Sequence, residues 1–494
     1  MRQVISPQLR LGERDIAAIH LDPKSRDDIP QLLSGLQYIY VTPEVRERVF
    51  AILEEVLPEG VDGKADTRTG RPGMDQWKIL VLGTLRLGLN TDYDRLQELA
   101  NQHKTVRQML GHPGWAEDES ACYELQTLKD NLRLFTPEIL ERISREVVGA
   151  GHRLLKKSPE EPLHVRVDSF VVETDVHFPT DIGLLWDALR LLVTIVAALC
   201  DDLGLAGWRQ SAYRLREIKK LYRRVQKAKH STSKDADKRA AKQDAVRAAH
   251  RAYLEQAETL LAQVRQTRVH LILCPVPAWI LAQIDLYLGD GERQIDQIRR
   301  RVLNGETIPH DEKVFSLIER HTEWISKGKA GVPVELGLRV AVVEDQHRFI
   351  LKHVVMEKTT DDQVAVPLIE DARAAFPDIA AASFDKGFHS PANQRALAEL
   401  LPRVVLPKKG NLSNIERERE NDPEFIRLRR QHSAVESAIN ALEAHGLGRC
   451  PDHAIDGFKR YVGMAVLARN IQRLGVIVRD QEAARHRGPY RQAA

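Results

Sequence analysis

The sequence predicts an α/β protein in three parts: an all-helical amino-terminal domain, a core of mixed strands and helices, and a long helical insertion that splits the core. Apolar residues keep helical spacing through most of residues 42–148. Strand-like alternation begins near residue 164 and returns only after residue 334. Between them, residues 183–323 read as helix almost throughout. The length agrees, since 494 residues at about 150 per domain suggest about three folded units. A content of 43% hydrophobic and 29% charged residues excludes collagen-like, wholly disordered and coiled-coil-only chains.

Taken in order, Thr42 before Pro43 forms a helix start, and Val45, Val49, Ile52 and Val56 give that helix an apolar face up to Pro58. Residues 62–73, DGKADTRTGRPG, have loop composition, with Arg71 as a candidate phosphate contact. Helical patterning over 75–89, 92–103 and 119–148 completes a domain of residues 1–155, and KKSPEEP at 156–162 marks its boundary. A strand follows in which His164, Arg166 and Asp168 alternate with Val165, Val167 and Ser169, ending near Asp168. Two amphipathic helices around HSTSKDAD, residues 230–237, form a hairpin inside the insertion. Strands are expected at 334–344 and 348–355, a helix at 363–375, a strand at 379–385, a helix after Pro391 and a strand at 403–407. A long helical region covers 424–474, and the tail of residues 481–494, rich in Arg, Gly, Pro and Ala, reads as loose.

Charge is unevenly distributed. Residues 209–251 carry fifteen Lys or Arg against four acids, a local net of +11 in a chain whose total is +3, which leaves −8 for the rest. Such a block suits nucleic-acid binding, where cations displace counterions from phosphates, with Lys219, Lys220, Arg223, Arg224 and Lys227 as candidate contacts. A solvated helical hairpin has the same composition. The four cysteines are far apart, which argues against a zinc site or a disulfide framework and for a reducing cytosol. The apolar run 184–200 is interrupted by Asp187 and Arg190 and reads as a buried helix, so no membrane partner is expected. MRQVISPQLRLGERD lacks a signal-peptide pattern, so a cytoplasmic, nucleoid-associated location is expected.

With the insertion set aside, the order of elements puts Asp168 on a first strand, Asp385 at the carboxyl end of a later one and Glu436 on a helix able to pack across the sheet. Three acids on rigid neighbours can hold two divalent cations about 4 Å apart, as in-line displacement at phosphorus requires. Hard oxygen donors without a Cys/His cluster favour Mg²⁺, with Mn²⁺ as substitute.

These segments also resemble a known family. VRVDSFVVETDVHFPTDIGLLWDA (165–188), SFDKGFHSPAN (383–393) and RRQHSAVESAINALEAHGLGRC (429–450) resemble the three catalytic blocks of DDE insertion-sequence transposases of the ISNCY group, in the same order. The similarity extends to residues 70–111, 321–329 and 458–475. It implies a ribonuclease-H-like catalytic core, residues 163–182 and 324–475, interrupted by a helical insertion, 183–323, and preceded by a DNA-binding domain, with a helix-turn-helix expected around 75–111. Asp168, Asp385 and Glu436 would be the catalytic, metal-binding triad, acting on double-stranded DNA as a homodimer or higher assembly. Lys386, Arg429 and His432 are candidate phosphate contacts. Related insertion-sequence families place Tyr, Arg, Glu and Lys at fixed spacing on the last helix, whereas the corresponding positions here are Arg429, His432, Glu436 and Glu443, so that lysine contact has no counterpart. The implied reaction is cleavage at the terminal inverted repeats and 3′-hydroxyl transfer into target DNA. A non-catalytic repressor, or a nuclease that does not join strands, would carry much of the same pattern.

Overall fold

The computed structural model describes residues 3–6, 8–9, 12–56, 73–113, 122–156, 158, 160–228, 234–326 and 333–487. Two compact units emerge, one of Met1–Asp175 with Ile325–Ala494 and one of Val176–Trp324.

The first unit opens with α1 (Asp28–Val41), α2 (Pro43–Glu54), α3 (Gln76–Gly88), α4 (Tyr93–Gln102), α5 (Lys104–Met109), α6 (Leu125–Leu132) and α7 (Pro137–Leu155). Side-chain caps set several starts: Asp27 accepts the Ile29 N–H, Asp92 that of Arg95, and Thr136 that of Ile139, with Pro137 at the first helical position. Strand β1 (Leu163–Thr174) follows. It continues six residues past Asp168, where the strand was expected to end, because Phe170, Val171 and Val172 prolong a pattern that both faces of the sheet bury.

The second unit contains α8 (Asp181–Asp202), α9 (Ser211–Lys227), α10 (Ala236–Leu271) and α11 (Ala278–Ile298). Leu185, Leu189, Leu192, Val193 and Val196 of α8 pack in its core with Ile218 and Val225 of α9, Tyr253 and Leu261 of α10, and Ile284 and Ile295 of α11. Among the described residues α8 is the one helix long and apolar enough to cross a membrane, despite Asp187 and Arg190.

The chain then returns to the first unit with β2 (Glu323–Ser326), β3 (Val334–Asp345), β4 (Ile350–Met356), α12 (Asp361–Ala375), β5 (Ile379–Phe384), α13 (Pro391–Leu400) and β6 (Arg403–Val405). Next come α14 (Asn414–Glu420), α15 (Pro423–His432), α16 (Ala434–Leu442), β7 (Arg449–Cys450) and α17 (Ala454–Arg487). The expected single helical region 424–474 is thus several pieces. Pro423 starts α15, and a π-helical turn at Glu443–Leu447 ends α16, where Gly446 takes φ +92°. Residues 481–487, expected to be loose, continue α17, and 488–494 lie outside the described residues.

The sheet is mixed. β1 runs antiparallel to β3, β3 antiparallel to β4, and β1 parallel to β5, which is parallel to β6. β2 extends the sheet beside β3, and β7 pairs with the end of β1. One face carries Phe170, Val172, Leu338, Val340 and Val342 and joins the core of the amino-terminal helices, α16 and α17. The other carries Val165, Val167, Ala341 and Val343 and packs on α12 and α13. The amino-terminal helices therefore share one core with the sheet instead of forming the separate domain expected of residues 1–155. Backbone contact explains this: a Cβ on Gly35 of α1 would sit 2.2 Å from the Ile471 carbonyl oxygen of α17, and one on Gly475 would sit 1.9 Å from that of Gln31.

Candidate active site

Val167 of β1 pairs with Phe384 of β5, so Asp385, the next residue, leaves its strand beside Asp168. Parallel neighbours lie about 4.8 Å apart. Alternation along β1 puts Asp168 on the same face as Phe170 and Val172, the face that α16 covers, and Glu436 stands in the first turn of α16. The structure thus gathers the three acids expected from the sequence into one region of the sheet. The charges of Asp385 and Glu436 both act on Asp168.

Asp168 is the perturbed member. Burial, reinforced by Asp385, Asp361 and Glu436, pushes its carboxyl up to about 6, against the opposing pull of the Ser169 N–H, which donates to Asp168 Oδ1 at 2.7 Å. Asp385 and Glu436 are exposed. A carboxylate sunk among other carboxylates gains most from a cation, and these donors are hard oxygens suited to a divalent ion. Among the described residues no three His, Cys, Asp or Glu side chains close into a ready metal-binding group.

Asp361 is the acid that sequence reasoning missed. It is the first residue of α12, it accepts a hydrogen bond from Ser169 Oγ at 2.7 Å, and its Oδ2 lies 3.0 Å from where a Cβ on Gly387 would be. The segment TDDQ, 360–363, held a signal, because Gln363 three residues after Thr360 completes a helix start and Gln363 Oε1 accepts the Thr360 N–H at 3.0 Å.

The candidate phosphate contacts scatter. Lys386 is exposed in the turn after Asp385. Arg429 is exposed and 3.7 Å from Glu420. His432 turns toward the sheet, its Nδ1 3.0 Å from Ser383 Oγ, and burial lowers it to about 4. Its ring is therefore neutral at pH 7 and lacks the charge a phosphate contact would use. Lys219, Lys220, Arg223, Arg224 and Lys227 project from the exposed side of α9 in the second unit. There Lys220 pairs with Glu217 at 2.6 Å, and Lys219 lies 5.4 Å over the Trp186 ring. Arg71 lies outside the described residues. The expected helix-turn-helix region holds three helices, but α3 is buried on nearly every side and has no face to offer a groove.

No protein-family model, curated protein or solved structure matches the chain.

Proposed function

We propose that the chain is a DDE transposase, which cuts DNA at the ends of its element and joins the freed 3′-hydroxyls to target DNA. The observation that carries this reading is the convergence of Asp168, Asp385 and Glu436, 217 and 51 residues apart in sequence, on one stretch of a mixed sheet. The strand order β4, β3, β1, β5, β6, antiparallel on one side of β1 and parallel on the other, supports a ribonuclease-H-like core. The basic face of α9 supports a polyanionic partner.

Asp168, Asp385 and Glu436 would hold Mg²⁺, or Mn²⁺ in its place. The metal supplies Lewis-acid charge at phosphorus. The carboxylates, fixed on β1, the end of β5 and α16, would keep that charge in place where the scissile phosphate binds, while Ser169 and Asp361 brace the site from the other face of β1. Water attacks phosphorus and the P–O3′ bond breaks, leaving a 3′-hydroxyl and a 5′-phosphate. The 3′-oxygen then attacks a target phosphodiester, loses its proton and displaces a second 3′-oxygen. No protein side chain becomes covalently attached, and cutting two ends together calls for a dimer or larger assembly.

The test is incubation of the purified protein with labelled DNA from both flanks of its gene and Mg²⁺ or Mn²⁺. Joined products that vanish in Asp385→Asn support the reading. Cleavage without joining replaces it with a nuclease, and metal-independent binding without chemistry replaces it with a repressor.

A further inference from the structure

The first unit holds a cleft of about 780 Å³, where the turn between α3 and α4 meets α6, β7 and the first turns of α17. Its floor is buried and charged. Arg86 of α3, with a side chain only 7% exposed, gives its two Nη groups to Asp452 at 2.7 and 3.2 Å, and its guanidinium lies 4.1 Å over the Tyr93 ring. That fork leaves Arg86 Nε without a hydrogen-bond partner, and Thr91 Oγ1 in the same cleft is orphaned too. Buried donors left unpaired are costly, so the floor favours an acceptor.

The rim supplies the charge. Lys129 lies 5.6 Å from the Tyr93 ring, and Arg133 and Arg460 bear electrostatically on the Tyr93 hydroxyl. Among the described residues none of these three cations has a carboxylate at ion-pair distance; Arg460 donates only to the Arg133 carbonyl, at 3.4 Å. The acids of the cleft have other partners: Asp452 is held by Arg86 and Asp175 lies 3.6 Å from Arg449, both arginines of the cleft itself, and Asp92 accepts the Arg95 N–H. An orphaned buried donor in one cleft with three cations that have no carboxylate partner among the described residues matches a phosphate oxygen in charge and in hydrogen bonding.

We propose that this cleft binds phosphate, and that the phosphates belong to a DNA backbone that continues over the surface toward the carboxylates. Asp175, at the cleft, directly follows β1, and the six residue steps from Asp168 to Thr174 span about 20 Å. With one phosphate per 3.4 Å of axis on each strand, that is roughly six nucleotides of duplex. Three spread cations on an open rim suit a continuous backbone better than a single small anion. The inference rests on the reading of this chain as a DNA-processing enzyme.

The test is the affinity of the full chain for a duplex of about 40 base pairs, by fluorescence anisotropy across a range of salt, comparing wild type with Lys129→Gln/Arg133→Gln/Arg460→Gln. The slope of log affinity against log salt should flatten by about 2 to 3, and affinity should fall at least about tenfold, with the circular dichroism spectrum and melting temperature unchanged. Arg133→Glu, a single exposed change, should weaken binding in the same direction and serves if the triple variant misfolds. An unchanged slope and affinity while wild type binds DNA overturns the cleft and leaves the catalytic reading standing. Failure of wild type to bind any duplex overturns the DNA reading itself. Stabilisation of wild type by inorganic pyrophosphate, lost in the triple variant while duplex binding is not, overturns DNA as the source of the phosphate.

Discussion

The carboxylate face of the sheet and the basic face of α9 answer different physical demands. Asp168 sits on a strand hydrogen-bonded on both sides, desolvated, with neighbours that hold its backbone from β3 and β5. Lys219, Lys220, Arg223, Arg224 and Lys227 project into water from a helix whose other side, Ile218 and Val225, is buried. Chemistry that depends on sub-ångström placement is built where the backbone is tied. Attraction to a polyanion depends on charge density and survives on a solvated helix.

The largest expected effect sharpens this contrast at its rigid end. Asp168→Asn should reduce metal-dependent strand cleavage by at least about 10³-fold, measured on end-labelled DNA. The same variant should be more stable than wild type at pH 8. A carboxyl raised to about 6 in the fold, against 3.8 unfolded, costs stability fully above pH 6, and the cost fades as pH falls through 6 toward 3.8. Loss of activity with a lower melting temperature at pH 8 would instead make Asp168 a structural acid.

At the solvated end, replacing Lys219, Lys220, Arg223, Arg224 and Lys227 together by Gln should flatten the salt dependence of DNA affinity by roughly 4. The melting temperature should barely move, because exposed pairs such as Lys220 with Glu217 contribute little. A salt slope equal to that of wild type would reduce this face to solvated surface.

Glu344 offers a third way to probe buried against exposed charge. It pairs with Arg166 across β1 and β3, at 3.4 Å, and burial pushes it up to about 7. Stability should therefore be lowered by the ionised form above pH 7 and recover as pH falls toward 4.5. Glu344→Gln should raise stability by up to about 3 kcal/mol at pH 8 and change it little at pH 4.5, by denaturant titration. The smallest expected effect is Ser169→Ala, which removes the hydrogen bond to Asp361 and should cost about 1 kcal/mol.

Much of the candidate site was legible because its signals are local. Alternation around Asp168, the strand end before Asp385 and the helical spacing around Glu436 each need only a short window of sequence. Asp361 escaped because its role comes from the packing of α12 on Ser169, a contact across 192 residues. His432 was read as a phosphate contact because composition cannot show that the ring turns toward Ser383 and is kept neutral by burial. The union of the amino-terminal helices with the sheet escaped for a similar reason. KKSPEEP looks like a linker, but the contact of Gly35 and Gly475 with facing backbone is a property of two helices more than four hundred residues apart.

That contact between α1 and α17 sets an order on biosynthesis. The core that α1, α3 and α7 share with α17 stays open until α17 has been synthesised. At roughly 5–20 residues per second, the translation gap between the two helices is on the order of 20–80 s, during which the apolar faces of the early helices have no permanent cover. Until α17 arrives those faces are uncovered apolar surface, whereas the basic face of α9 belongs to a unit, Val176–Trp324, that has already been made.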